Sequence, residues 1–199
     1  MSEPLRHRDP AQWAGQFADK VFVTCPRCGK AAVSRRGAVA CGACGFAAAD
    51  RWFGPVDVSA KHWRCGQCGA TVSSGRTITD PAQGVPPTLT VRCRSCGHQH
   101  QSPVSEGRRG SFDRDPGSGL PLSLTVELAG GTLCAYNAAH AKALLDFIAA
   151  DLRERGDRPP GKTMLTVLPA WIKAAKNRAA VAKGYQALYE RGLALESET

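Results

Sequence analysis

Residues 25–45 read Cys25-Pro26-Arg27-Cys28-Gly29-Lys30-Ala31-Ala32-Val33-Ser34-Arg35-Arg36-Gly37-Ala38-Val39-Ala40-Cys41-Gly42-Ala43-Cys44-Gly45. Two Cys-x-x-Cys-Gly units bracket Ala31–Ala40, where two short strand-forming runs flank the turn pair Arg36-Gly37. A Cys-x-x-Cys turn presents two thiolates to one ion about 2.3 Å away, and the following glycine accepts the positive φ that closes the turn. The pattern returns at Cys65-Gly66-Gln67-Cys68-Gly69 and at Cys93-Arg94-Ser95-Cys96-Gly97. Eight of the nine cysteines are used in this way, and Cys134 stands alone.

The gaps between consecutive units are 12, 20 and 24 residues. The simplest pairing gives two closed Cys₄ sets, Cys25, Cys28, Cys41 and Cys44 in one, and Cys65, Cys68, Cys93 and Cys96 in the other. Each would be a zinc ribbon, so the expected cofactor is Zn²⁺, two per chain. A cross-braced arrangement, units one and three on one metal and two and four on the other, is the alternative topology. In the second ribbon the insert from Ser73 through Gln83 to Pro87 is long and proline-rich, so its hairpin is expected to carry an extended loop. Disulfides are disfavoured without an export signal, and a redox dithiol calls for one pair beside a βαβ unit. Iron in a rubredoxin-like Cys₄ shell shares the same sulfur geometry and stays open, as does the electron carrier it would make.

At 199 residues and 21.1 kDa the chain accommodates one domain or two small ones, which excludes a full α/β barrel. Hydrophobic residues at 43% and charged residues at 22% are ordinary globular usage, and Gly plus Pro number 34, concentrated in the first half, where elements must be short. No apolar run approaches the roughly 18 residues of a membrane span, and Met1-Ser2-Glu3-Pro4-Leu5-Arg6-His7-Arg8 lacks a secretory apolar core. The expectation is a cytoplasmic protein with no membrane partner. The formal charge of +9 overstates the basicity: eight thiolates remove eight charges and two zinc ions return four, leaving about +5. Up to residue 110 there are 15 Lys/Arg against 7 Asp/Glu, and beyond it 11 against 10, so the basic excess sits on the ribbons.

Asp9-Pro10 reads as the start of a short helix to about Ala18, with Trp13 and Phe17 on one face. Val21-Phe22-Val23-Thr24 is a strand entering the first knuckle, and Arg51–Val56 links the ribbons, its aromatics Trp52 and Phe53 packing the modules. Glu106 to Gly119 reads as a polar, Gly-rich boundary. Leu122–Leu128 alternates with period two, Gly130-Gly131 supplies a turn, Leu133–Tyr136 returns, and Asn137 caps a helix carrying Ala141, Leu144, Leu145, Ile148 and Leu152 on one face. A second helical region runs from about Thr163 to Glu196, broken near Pro169 and Asn177, with Val181, Tyr185 and Leu188 inside. The expected fold class is therefore α+β: a short N-terminal helix (1–20), ribbon 1 (21–50), ribbon 2 (51–104), a linker (105–119) and a hairpin with α-helices (120–199).

Gly119-Leu120-Pro121-Leu122, Ala135-Tyr136-Asn137 with His140, Leu152-Arg153-Glu154-Arg155, Leu168-Pro169-Ala170-Trp171 and Ala175-Lys176-Asn177-Arg178 resemble the C-terminal landmarks of a family of small bacterial zinc-ribbon proteins of unassigned function. The ribbons are similar to those of transcription factors and nucleic-acid enzymes. The resemblance spans most of residues 21–190 and implies an architecture, not a biochemical role. Cys134 departs from it, standing where a large apolar strand residue is expected; its simplest role is that of a small buried hydrophobe.

Gly156-Asp157-Arg158-Pro159-Pro160-Gly161-Lys162-Thr163 matches the phosphate-loop pattern, but a helix precedes it and Pro159 and Pro160 lack the N–H groups that wrap phosphate, so no nucleotide is expected. No metalloprotease or serine-hydrolase motif is present, and four thiolates leave a metal no open position, so no enzyme is expected. His62, His98 and His100 are read as solvated residues beside the knuckles, and Trp52, Phe53 and Trp63 as ribbon mini-core. The candidate nucleic-acid contacts are Arg27, Lys30, Arg35, Arg36, Arg92, Arg94, Arg108 and Arg109, with the helical cluster Lys173, Lys176 and Arg178. The sequence thus points to a zinc-binding adaptor for DNA or RNA, or else to a scaffold docking on a larger protein complex.

Overall fold

The computed structural model describes residues 6–60, 63–72, 75–78, 84–154 and 163–198. In chain order the strands are β1 (Arg6–Arg8), β2 (Val21–Thr24), β3 (Ala31–Arg35), β4 (Ala38–Ala40), β5 (Ala47–Ala48), β6 (Val56–Ala60), β7 (Trp63–Arg64), β8 (Thr71–Val72), β9 (Gly75–Ile78), β10 (Thr88–Arg92), β11 (Gln99–Arg108), β12 (Leu124–Leu128), β13 (Gly131–Ala135) and β14 (Leu152–Glu154). The helices are α1 (Ala138–Ala149), α2 (Ala170–Lys173) and α3 (Arg178–Ser197). The class is α+β, with small, mostly antiparallel sheets. The chain forms two compact units, one of residues 1–51 with 112–199 and one of residues 52–111.

In the first unit β2, β3, β4 and β5 make one antiparallel sheet in that order. Arg36 (φ 53°) and Gly37 (φ 88°) form the turn between β3 and β4 that the sequence calls for. Strand β2 is apolar on both faces, with Val21, Phe22 and Val23 almost fully buried, because it lies between its own ribbon and the C-terminal elements. Phe22 N–H donates to the Tyr136 carbonyl at 2.8 Å and Val23 bridges Leu122. Phe22 thereby joins the core of Leu124, Leu133, Leu144, Ile148, Val181, Tyr185 and Leu188. The first ribbon and the C-terminal module share one core, a division different from the one expected, in which residues 105–119 separate both ribbons from the hairpin and helices.

The stretch expected as a linker is itself structured. Residues 105–108 finish β11, paired with β6, and Asp115 and Ser118 lie buried in the loop beyond. Asn137 caps α1 as expected, its side chain accepting the His140 N–H. The helix then ends earlier than its apolar spacing suggests: Ala150, fully buried, is extended at φ −67° and ψ 136°. Leu152 consequently leaves the helical face and pairs in parallel with Arg6 in the β1–β14 ladder. The N-terminal helix is also replaced. Residues 6–8 are a strand, Asp9 Oδ1 accepts the Ala11 N–H in a turn, and only a single 3₁₀ turn, Ala14–Phe17, comes after it. Trp13, expected on one helical face with Phe17, is 60% exposed with its ring folded over Gly15. In the β12–β13 hairpin Gly131 already belongs to the return strand, paired with Leu128, so the turn is Ala129-Gly130.

The second unit holds a four-stranded sheet, β10-β11-β6-β9, and the two-stranded β7–β8. The insert expected as a loop contributes β9, which pairs with β6; residues 73–74 and 79–83 lie outside the described residues. Its apolar content is thin: Val56, Val58 and Ile78 form one cluster, and Cys65, Val72, Val91 and Cys93 another. Trp52 is half-buried within this unit, its indole N–H donating to the Pro55 carbonyl.

Candidate metal centres and their basic surroundings

The four knuckles have one backbone geometry. In each, the first cysteine's N–H donates to the carbonyl five residues on (Lys30, Phe46, Ala70 and His98), and the glycine's N–H returns to the first cysteine's carbonyl at 2.7–2.9 Å. The glycines Gly29, Gly45, Gly69 and Gly97 have φ of 72°, 68°, 71° and 78°, the left-handed region where a Cβ is costly. Sequence spacing is thereby converted into a fixed pair of sulfurs on each turn.

The pairs meet sequentially, not cross-braced. Cys25, Cys28, Cys41 and Cys44 form one cluster, Cys65, Cys68, Cys93 and Cys96 the other, with all sulfurs of a cluster within 4.8 Å of one another. Cys25 and Cys44 Sγ are 3.7 Å apart, as are Cys28 and Cys41; Cys65 and Cys96 are 3.5 Å apart, and Cys68 and Cys93 3.6 Å. A tetrahedron with metal–sulfur bonds of about 2.3 Å has edges of about 3.8 Å, so both sets fit a tetrahedral ion. Each set could hold one, through Sγ of all four residues.

The electrostatics point the same way. Burial pushes the Cys25 thiol up, but the backbone N–H groups of Cys28 and Arg27 outweigh it and hold it at about 7. Cys93 sits at about 6, held down by the Cys96 N–H against its burial and helped by the Ser95 N–H. Their partners go the other way. At Cys44 the Phe46 N–H lowers the thiol, yet burial and the Cys28, Cys25 and Cys41 sulfurs drive it to about 12. Cys96 reaches about 12 in the same manner, its His98 N–H overcome by burial and by Cys65, Cys68 and Cys93. In each cluster one sulfur ionises readily and raises the cost of ionising a neighbour, and a divalent cation among the four would favour the thiolate form of all of them.

The structure distributes the candidate basic residues unevenly. Arg27 is held over the Phe46 ring at 5.3 Å, with Nη1 donating to the Cys44 carbonyl. Arg108 lies 5.4 Å over Trp52, and Arg109 pairs with Asp57 at 3.2 Å. Arg36 faces Asp19 at 3.8 Å, Lys173 Nζ donates to the Thr166 carbonyl, and Arg178 pairs with Asp151 at 3.5 Å. Lys30, Arg35, Arg92, Arg94 and Lys176 are exposed and carry no ion pair among the described residues. The hairpin tip does not project freely: a Cβ on Gly117 would lie 2.7 Å from Gly37 N, so that loop is seated on the turn beside Arg36. Trp52, expected as ribbon mini-core, is a platform for Arg108, and Phe46, an aromatic two residues after its knuckle's second cysteine that the sequence reading passes over, is one for Arg27.

His98, just before β11, and His100, within it, are exposed, whereas His62 lies outside the described residues, as do Gly156–Lys162 of the phosphate-loop pattern. Thr163, its last residue, gives its hydroxyl to Asp9 Oδ2 at 2.9 Å. Cys134 is half-buried and its S–H donates to the Phe112 carbonyl; burial, reinforced by Asp113, pushes the thiol up to about 12. Among the described residues no helix is long and apolar enough to cross a membrane. Comparison with models of known protein families, with curated proteins and with solved structures finds no match.

Proposed function

We propose that the protein is a non-enzymatic, zinc-binding adaptor that engages DNA or RNA through the knuckle surfaces of its ribbons. The observation that carries this reading is the exposure of Lys30, Arg92 and Arg94 around buried Cys25 and Cys93, without acidic partners among the described residues. A metal-fixed turn holds the Cα atoms of such residues still, so long cations can meet phosphate oxygens without ordering a loop. Four thiolates leave an ion no position for water or substrate, which supports a structural role over a catalytic one. Zinc is the metal of this reading because it suits closed Cys₄ shells; an iron-filled pair would be coloured and would carry electrons.

The internal pairing of Arg36, Arg109, Lys173 and Arg178 narrows the contact surface. Charge reversal of Arg92 and Arg94 to Glu should weaken binding to labelled DNA or RNA and reduce the log–log salt slope by about 2, with zinc content unchanged. Reversal of Arg36 and Arg109 should do less. Binding that is absent at low salt, or insensitive to the Arg92 and Arg94 changes, would favour the second reading, a scaffold for a larger complex. That reading draws on Trp13 and Leu193, apolar residues 60% and 45% exposed in the first unit.

A further inference from the structure

The first unit contains a cavity of about 180 Å³ between the β12–β13 hairpin, α1, α2 and α3. Cavities of about 150 Å³ with apolar walls accommodate benzene, so the volume suits one six-membered ring. Its walls include Leu144, Met164, Leu168 and Ile172, and no Asp, Glu, Lys or Arg lines it. Two side chains interrupt the apolar surface from positions more than nine-tenths buried. Tyr185 is 1% exposed and His140 is 6% exposed. Neither Tyr185 Oη nor His140 Nε2 has a hydrogen-bond partner among the described residues, and neither is sealed from a small probe. His140 Nδ1 accepts the Tyr136 N–H at 3.2 Å, so in the neutral ring the proton sits on Nε2, a donor without a protein partner among the described residues.

Donors that water can reach and that have no protein partner are available to a ligand, whose acceptor would take the place of water while its ring covers the apolar walls. At the mouth the wall residues Phe112 and Val167 are 60% and 62% exposed, a large apolar area to leave in water beside a cavity. We propose that this cavity is a binding site for a small, uncharged, single-ring ligand bearing one hydrogen-bond acceptor, the acceptor meeting Tyr185 Oη–H and His140 Nε2–H. A charged ligand is excluded by the absence of any countercharge in the walls. The site lies in the first unit and is independent of the nucleic-acid reading.

Phenol and toluene are the probes, added to the full zinc-loaded chain and followed through the methyl resonances of Met164 and Ile172. Both should shift those resonances saturably at one site per chain, with phenol the tighter. Tyr185→Phe should weaken phenol about fivefold and leave toluene unchanged, since it removes only the hydroxyl. Cys134→Leu, which adds bulk from the wall, should abolish binding of both while the fold persists; Leu168→Trp serves the same purpose should that variant fail to fold. No saturable shift with either probe, or binding of both that survives the filling variants, would overturn the proposal and leave the cavity a packing defect.

Discussion

Ser34 Oγ donates to Asp115 Oδ2 at 2.6 Å, joining residues 81 apart in sequence, both at most 2% exposed. The same carboxylate accepts from Ser118 N at 2.8 Å and from the Ser118 hydroxyl, while Oδ1 accepts the Gly117 N–H. A buried carboxylate is tolerated only where its lone pairs are met, and here the ribbon and the loop meet them together. This one side chain fixes the 113–119 loop against the β3–β4 hairpin.

Asp115→Ala should therefore lower the stability of the first unit by about 3 kcal/mol, since it removes charge-assisted bonds and strands the Ser34 hydroxyl. Asp115→Asn should cost less. Urea unfolding followed by near-ultraviolet circular dichroism measures both, and a cost under about 0.5 kcal/mol for the alanine would refute the pinning role.

Helices α1 and α3 touch at Gly192, where a Cβ would come within 2.9 Å of the Ala138 Cα and backbone nitrogen. Backbone cannot rotate away, so Gly192→Ala should destabilise by about 2 kcal/mol despite alanine's better helix propensity. Gly184 offers the control. A Cβ there would meet Leu133 Cδ1 at 2.5 Å, the end of a rotatable side chain, so Gly184→Ala should cost less than Gly192→Ala. Thermal denaturation of the two variants ranks them, and the reverse order would contradict the packing.

His140 makes the first unit acid-sensitive. Burial lowers its pKa from 6.5 to about 4. Above about 6.5 the ring is neutral in both the folded and the unfolded chain; as pH falls below that value the unfolded chain takes up the proton and the folded one does not. Stability should fall between those pH values by up to about 3 kcal/mol from this group. Thiolate protonation adds its own acid loss, so the measurement is a difference: His140→Gln should show a shallower decline than wild type between pH 7 and about 4. Parallel declines would mean that the ring carries none of it.

Much of this architecture is legible in the residues, for physical reasons that also mark where legibility ends. The knuckles arise from Cys-x-x-Cys-Gly alone, and Arg36-Gly37 and Asn137 dictate their turn and cap by local chemistry. Strands β6, β9 and β11 do not announce themselves, because their partners lie far along the chain and their exposed faces are polar: in β11, Gln99, His100, Gln101 and Ser105 alternate with little that is apolar. Leu152 keeps the helical spacing of Leu144 and Ile148, yet the chain has already turned at Ala150 to pair with Arg6, a tertiary contact that overrides the local period. The cavity beside Tyr185 had no sequence signal, since its walls are the same apolar residues that build a core.

On the proposed reading, the two Cys₄ clusters, one in each compact unit, are zinc sites on which the ribbons depend. Zinc analysis of the purified chain, followed by chelation with residue-resolved nuclear magnetic resonance, tests them most directly. Two zinc ions per chain are expected. Their removal should unfold residues 52–111, whose apolar clusters are small, because structural zinc supplies about 10–16 kcal/mol of binding free energy to such a site. The helices α1 and α3, packed with Leu124, Leu133 and Tyr185, should keep their dispersion after chelation. A single metal per chain, a red iron chromophore, or a second ribbon that keeps its dispersed resonances without metal would contradict the account.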